Sequence, residues 1–286
     1  MHTDPVFTPS TLPPVEVIHE GHRTCIKWHR ARRRPTDPPF TARRIVEGMT
    51  AGASVEIDLV IHGERGFAVL HDLELGHTTT GRGRVTAASV AQLRTVHLRD
   101  NDGVPVDQPV LLLEDLPDLF AHSRIHPAAR LQLDFKQDAS ALDDTVIGHF
   151  ADATADMAPN MILSCGDAEA VRLLTDAVPG IRIGYDPCHH GALRRVLRSE
   201  DFHGFVRRAI AASPHAEMVY LERRLVLEAD RRGFDMVGAF HSQGRTVDAY
   251  TITGVDDDSV RQARRLIELR VDQITTDDAE GLVAAV

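Results

Sequence analysis

Between residues 53 and 72 the chain reads Ala-Ser-Val-Glu-Ile-Asp-Leu-Val-Ile-His-Gly-Glu-Arg-Gly-Phe-Ala-Val-Leu-His-Asp. Val55, Ile57 and Leu59 alternate with Glu56, Asp58 and Val60, the period of a half-buried strand, so both carboxylates share one face. Neighbouring carboxylates resist ionising together unless a cation lies between them. Oxygen ligands of this kind suit magnesium, calcium or manganese better than zinc. A Gly-Glu-Arg-Gly turn then leads into Phe67–Leu70, which delivers His71 and Asp72. Taken alone, Glu56-Ile-Asp58 reads rather as part of a surface strand whose acids are solvated. Residues elsewhere tip the balance: His29-Arg30 ends one apolar strand, and Asp134-Phe-Lys136 ends another.

Together these residues form a reaction set. Glu56, Asp58 and Asp134 make a three-carboxylate oxygen site in which a divalent cation (magnesium or calcium, with manganese as the third option) would bind a phosphoryl oxygen. Arg30 offers a forked contact to the remaining phosphate oxygens and Lys136 a point contact. His29 and His71 suit a general acid–base pair, because an imidazole titrates near pH 6.5. One histidine deprotonates the attacking oxygen and the other protonates the leaving alkoxide. The chemistry is phosphodiester cleavage.

The elements that must position these groups follow a regular rhythm. Strands are predicted at Thr24–Trp28, Val55–Leu59, Leu131–Phe135, Met161–Cys165, Ile181–Tyr185, Met218–Leu221, Asp248–Ile252 and Gln273–Thr276. Helices are predicted after them, including 87–96, 110–120, 141–157, one long helix over 193–212, and 225–233. Eight strand–helix units in 286 residues point to a closed (β/α)8 TIM barrel, with a doubly wound sheet as the alternative. Function in a barrel belongs at the C-terminal ends of strands, and that is where His29-Arg30, Glu56, Asp58, Asp134 and Lys136 fall. Glu222 ends a later strand and is placed at the mouth as a substrate contact. His22-Arg23 precedes its strand and sits at the wrong end. Trp28 reads as packing, Arg32–Arg34 either as a solvated run or as one from which a residue reaches substrate, and His189-His190 as a surface loop rather than a lining of the mouth.

Composition narrows the class. Net charge is −10, which disfavours a nucleic-acid footprint; the expected partner is a small-molecule phosphodiester. Three cysteines, Cys25, Cys165 and Cys188, are odd in number and widely spaced, as in a reducing, cytoplasmic compartment. No secretory signal is visible, and no apolar run approaches the ~18 residues of a membrane span. Residues 1–22 are expected to be an extended leader and 23–286 a single domain.

The motifs His29-Arg30, Glu56-Ile-Asp58, His71-Asp72 and Asp134-Phe-Lys136, in this order, resemble the glycerophosphodiester phosphodiesterase (GDPD) family of the phospholipase-C-like phosphodiesterase superfamily. Thr78-Thr79, Gly81-Arg-Gly-Arg-Val and Ile274-Thr-Thr-Asp277 add to the likeness. The resemblance implies a TIM barrel with a small insertion after the second strand, here about 73–110, and one divalent cation held by Glu56, Asp58 and Asp134. It also implies His29 and His71 as catalytic residues, with Arg30 and Lys136 at the phosphate. The expected reaction releases a phosphomonoester and an alcohol, directly or through a cyclic phosphate. A phosphodiester-binding barrel without activity and a phospholipase D-like lyase releasing cyclic phosphate are the alternatives.

The chain departs from the family pattern at four places. Ala31 replaces the usual Gly after His-Arg, and Pro39-Phe40-Thr41 lacks the Glu and Asn of the Pro-Glu-Asn-Thr stretch. Asp134 replaces a Glu, and Tyr250-Thr-Ile-Thr253 replaces Trp-Thr-Val-Asn, which makes Tyr250 a substrate contact. These changes imply an altered leaving-group pocket, open to sugar phosphodiesters of the opine (agrocinopine) type as well as glycerol diesters.

Overall fold

The alternating apolar runs pair side by side in one sheet that closes on itself. A computed structural model of the chain describes residues 15–189 and 191–286. Its strands are β1 (Glu16–His19), β2 (His22–Trp28), β3 (Ser54–Ile61), β4 (Phe67–Val69), β5 (His97–Arg99), β6 (Pro105–Pro109), β7 (Arg130–Phe135), β8 (Met161–Ser164), β9 (Arg182–Tyr185), β10 (Met218–Glu222), β11 (Thr246–Ile252) and β12 (Gln273–Thr276). Eight of them, β2, β3 and β7 to β12, pair in parallel, and β12 meets β2, which meets β3. This is the expected (β/α)8 barrel.

Closure changes how the strands are buried. Strand β3 was expected to be half-buried, yet all eight of its residues are buried. The apolar set packs outward beneath helices while the acids face the barrel interior, so neither face meets bulk water. On the outer side, Gly48 in the helix Ala42–Ala51 lets Trp28 and Val55 approach closely. A Cβ there would lie 2.5 Å from Val55 Cγ2 and 3.2 Å from Trp28 Cε3. Trp28 is therefore packing, as expected, and it anchors the strand end that carries His29.

The barrel interior below the mouth is polar. Lys27, 1% exposed, donates to Gln132 Oε1, lies 3.2 Å from Asp248 Oδ2 and sits over the Tyr220 ring at 4.5 Å. Thr275 Oγ1 and Gln273 Nε2 also donate to Asp248, at 2.7 and 2.6 Å. Removing one partner of a buried ion pair strands the other charge. Lys27→Met is therefore expected to lower unfolding free energy by about 3 kcal/mol, measured by urea denaturation. Adding Asp248→Leu should recover much of the loss.

Several element boundaries differ from the sequence reading. Residues 16–22 are not an extended leader, because β1 pairs antiparallel with β2; residues 1–14 of that segment lie outside the described residues. Strands β5 and β6 form an antiparallel hairpin between two of the expected helices, and the helix expected over 87–96 contracts to Val90–Leu93. The long helix over 193–212 is two helices, Ala192–Ser199 and Phe202–Ala212. Glu200 breaks it at φ 56°, and the Asp201 carboxylate caps the second helix by accepting from Gly204 N at 2.8 Å. After the helix Arg223–Arg231, Asp235 caps a further short helix, Met236–His241, that periodicity did not reveal.

Candidate active site

The mouth is built from strand ends. After Trp28 the chain turns sharply through His29–Ala31, with Arg30 at φ 53° and Ala31 at φ 58°. Left-handed backbone is costly for side-chain-bearing residues and free for Gly, which explains why a Gly would suit position 31. The turn carries His29 and Arg30 over the barrel opening. His29 Nδ1–H donates to Asp277 Oδ1 at 2.7 Å, and its Nε2 lies 3.9 Å from Glu56 Oε2. Arg32 Nη1 donates to the same Asp277 oxygen at 2.9 Å, while Arg32 Nη2 donates at 3.0 Å to Asn101 Oδ1 in the β5–β6 turn.

Burial alone would raise the Asp277 carboxyl, but the His29 ring and the Arg32 guanidinium outweigh it and hold it below the usual carboxylate range. A carboxylate lowered by folding stabilises the fold above its unfolded value, and the benefit disappears as pH falls through the lowered one. The stability gap between the wild type and Asp277→Asn should thus be full at neutral pH and close as pH falls below about 4. Thermal melts across pH 2–7 would show it.

The three acids converge from two neighbouring strands. Asp58 pairs in register with Asp134 and Asp134 with Ser164, so one interior row holds Asp58, Asp134 and Ser164, and Glu56 lies in the adjoining row opposite Gln132. Oxygens of Glu56, Asp58 and Asp134 lie within 4.8 Å of one another. Glu56 Oε2 and both Asp58 oxygens are buried without a hydrogen bond of good geometry. Lys136 Nζ stands 2.8 Å from Asp58 Oδ1 and donates to Asp134, and Arg30 Nε is 3.4 Å from Asp58 Oδ2. Burial, with Asp58 adding to it, raises the Glu56 carboxyl despite His29 and Lys27. Burial also works against the Asp58 charge, but Lys136 and Arg30 overcome it and the carboxyl is lowered. Buried, under-bonded hard oxygens clustered at this distance fit a divalent cation. Asp134 is the most committed of the three, since its Oδ1 also accepts from Ser164 Oγ at 2.5 Å.

His71 and Asp72 follow Leu70, as expected. Burial lowers the His71 imidazole below its ordinary value; Asp58 opposes this, while Arg30 and Lys136 add to it. His71 Nδ1 lies 3.1 Å from the Asp72 carboxylate, which fixes the proton there and leaves Nε2 as acceptor. A cavity of about 300 Å³ joins these groups, and His29, Arg30, Glu56, His71, Asp134 and Lys136 all line it.

Other placements are mixed. Tyr250 lines the cavity, with its hydroxyl donating to Asp186 Oδ2 at 2.7 Å. His189 lines it too, whereas His190 lies outside the described residues. Glu222 does not reach the cavity: it caps the helix Arg223–Arg231 and pairs with Arg224 Nε at 2.7 Å. Of Arg32–Arg34, Arg32 alone touches the site residues, because Arg33 pairs with Glu47 and Glu280, and Arg34 with Glu280. The part played by Lys27 went unread, although its alternation in Cys-Ile-Lys-Trp turns it inward.

Fold and site together define a (β/α)8 barrel with an acidic oxygen cluster and two histidines at its mouth. The model of the glycerophosphoryl diester phosphodiesterase family matches residues 44–280, and the chain belongs to that family of phosphoric diester hydrolases. No curated protein matches the chain in sequence. Among solved structures, a glycerophosphodiester phosphodiesterase from Agrobacterium tumefaciens is similar over 92% of this chain and 98% of its own, at 18% identity and TM-score 0.65. One from Thermotoga maritima has the same coverage and identity with TM-score 0.61. An Oleispira antarctica phosphodiesterase, solved with the product sn-glycerol-3-phosphate, is similar over 91% of this chain and 95% of its own, at 16% identity and TM-score 0.64. Among the described residues, no helix is long and apolar enough to cross a membrane.

Proposed function

We propose that this protein is a metal-dependent phosphodiesterase that hydrolyses a small glycerol- or sugar-type phosphodiester to a phosphomonoester and an alcohol. The observation that carries this reading is the convergence of His29, His71, Glu56 and Asp134 on one cavity, with oxygens of Glu56, Asp58 and Asp134 within 4.8 Å of one another. When bound by the three carboxylates, a magnesium, calcium or manganese ion supplies charge neutralisation at the phosphoryl oxygens. Arg30 and Lys136 hold the phosphate from the same side.

His71, kept neutral by burial, takes the proton of the attacking oxygen at Nε2. That oxygen belongs to water or to a neighbouring substrate hydroxyl, the latter giving a cyclic phosphate first. His29, oriented through Nδ1 by Asp277, donates from Nε2 to the leaving alkoxide. Ser164 and Lys136 fix Asp134 so that its carboxylate stays turned into the row. The product complex of the Oleispira antarctica relative supports a glycerol phosphate product.

The reading is tested by assaying phosphomonoester release from glycerophosphoglycerol and from a sugar phosphodiester with each of the three cations; no release from either with any of them contradicts it. A base already lowered by burial must lose its proton below its ordinary value, so the acid limb of kcat/KM is expected below about pH 6.5. An acid limb above that value would remove His71 from the role of base.

A further inference from the structure

We propose that Asp186, His189 and Tyr250 form a specificity wall that accepts a polyol or other uncharged, hydroxyl-bearing alcohol and disfavours a quaternary ammonium alcohol. The inference rests on the hydrolase reading and names the substrate class of the same cavity. The three residues come from separate elements: Asp186 follows β9, His189 lies in the loop beyond it, and Tyr250 belongs to β11. All three line the cavity that His29, Glu56 and Lys136 line.

Their bonding decides what the wall can recognise. The Tyr250 hydroxyl and His189 Nε2–H both donate to Asp186 Oδ2, at 2.7 and 3.0 Å, and Cys188 N–H donates to Oδ1 at 2.7 Å. These three donors occupy most of the acceptor positions of the Asp186 carboxylate. The phenol oxygen, having given its proton away, keeps acceptor lone pairs for an incoming hydroxyl. A trimethylammonium group has no N–H to give them.

Quaternary ammonium groups are instead bound on aromatic faces. Among the described lining residues, Tyr220 and Tyr250 are the only rings besides histidine. The Lys27 ammonium already lies over the Tyr220 ring at 4.5 Å. Trp28, the single tryptophan of the chain, is wholly buried under the outer helix. One remaining phenol does not make a cage. A quaternary ammonium alcohol therefore finds no free aromatic cage here and forms no hydrogen bond with the phenol oxygen, whereas a hydroxyl-bearing alcohol does.

The test compares glycerophosphoglycerol with glycerophosphocholine, which differ in one half only. In the magnesium-loaded wild type, kcat/KM is expected to favour the glycerol diester by about tenfold or more. Tyr250→Phe should reduce that preference by raising KM for glycerophosphoglycerol more than KM for glycerophosphocholine. The double variant Asp186→Leu, Tyr250→Trp should bring the ratio to about one. Calorimetry of both diesters binding to magnesium-loaded His71→Ala reads the same preference without turnover. Equal use of both diesters by the wild type, or equal losses for both in the variants, overturns the wall. Absence of turnover with a retained binding preference would overturn the hydrolase reading and leave the wall standing; equal binding would overturn the wall.

Discussion

Replacement of His29 or His71 by Ala is expected to lower kcat by about 10²–10⁴-fold while KM changes little. The two histidines act on opposite ends of one displacement, so the double variant should lose far less than the product of the single losses. A distinction between them follows from their partners. His29 depends on Asp277 for orientation, and Asp277→Asn should reproduce a large part of the His29→Ala defect, because the amide cannot hold the imidazole through the same charged hydrogen bond. His71 has only the more distant bond to Asp72, at 3.1 Å, so Asp72→Asn should cost less. Steady-state kinetics of the four variants with one glycerol diester would check the order. A His71→Ala enzyme with wild-type kcat would refute the assignment.

Chelation should abolish turnover, and the three acids should not contribute equally to recovery. Glu56 Oε2 and both Asp58 oxygens are buried without a hydrogen bond of good geometry, Asp58 facing Lys136 and Arg30 as ion pairs only, whereas both Asp134 oxygens accept hydrogen bonds, from Ser164 and from Lys136. Glu56→Gln and Asp58→Asn are therefore expected to weaken magnesium affinity by about 100-fold, and Asp134→Asn by about tenfold. Isothermal titration of the chelator-treated protein measures this directly, independent of activity. Glu56→Gln should also relieve part of the burial cost of its own charge and so melt at an unchanged or higher temperature without metal. Weaker binding in Asp134→Asn than in the other two would reverse the account of how the site is divided.

The parts of the site visible in the sequence were those set by local geometry. Alternation places Glu56 with Asp58 and Asp134 with Lys136, and the rule that barrel function lies at strand ends brings His29 to the same mouth. Groups paired over long separations were harder to see. Asp277 is visible in the sequence only as the end of the Ile274-Thr-Thr-Asp277 motif, because its bond to His29 spans 248 residues and Arg32 reaches it over 245. No periodicity reports such a contact.

Glu222 shows the opposite failure. It does end a strand, yet the next helix begins at once and turns its carboxylate into a cap for Arg224. The long helix over 193–212 misled for a related reason, because its apolar spacing continues across a break made by one left-handed residue and one capping Asp. Burial of β3 on both faces could not be read from alternation, since a polar row facing a barrel interior looks like one facing solvent.

The most direct measurement of the central claim is phosphorus NMR of the chelator-treated protein incubated with a mixture of glycerol and sugar phosphodiesters, with and without added magnesium, calcium or manganese. The account predicts a phosphomonoester that appears only with metal and is lost in His29→Ala and His71→Ala. A cyclic phosphate as the final product would assign a lyase. Unchanged diesters under every cation would contradict phosphodiesterase activity.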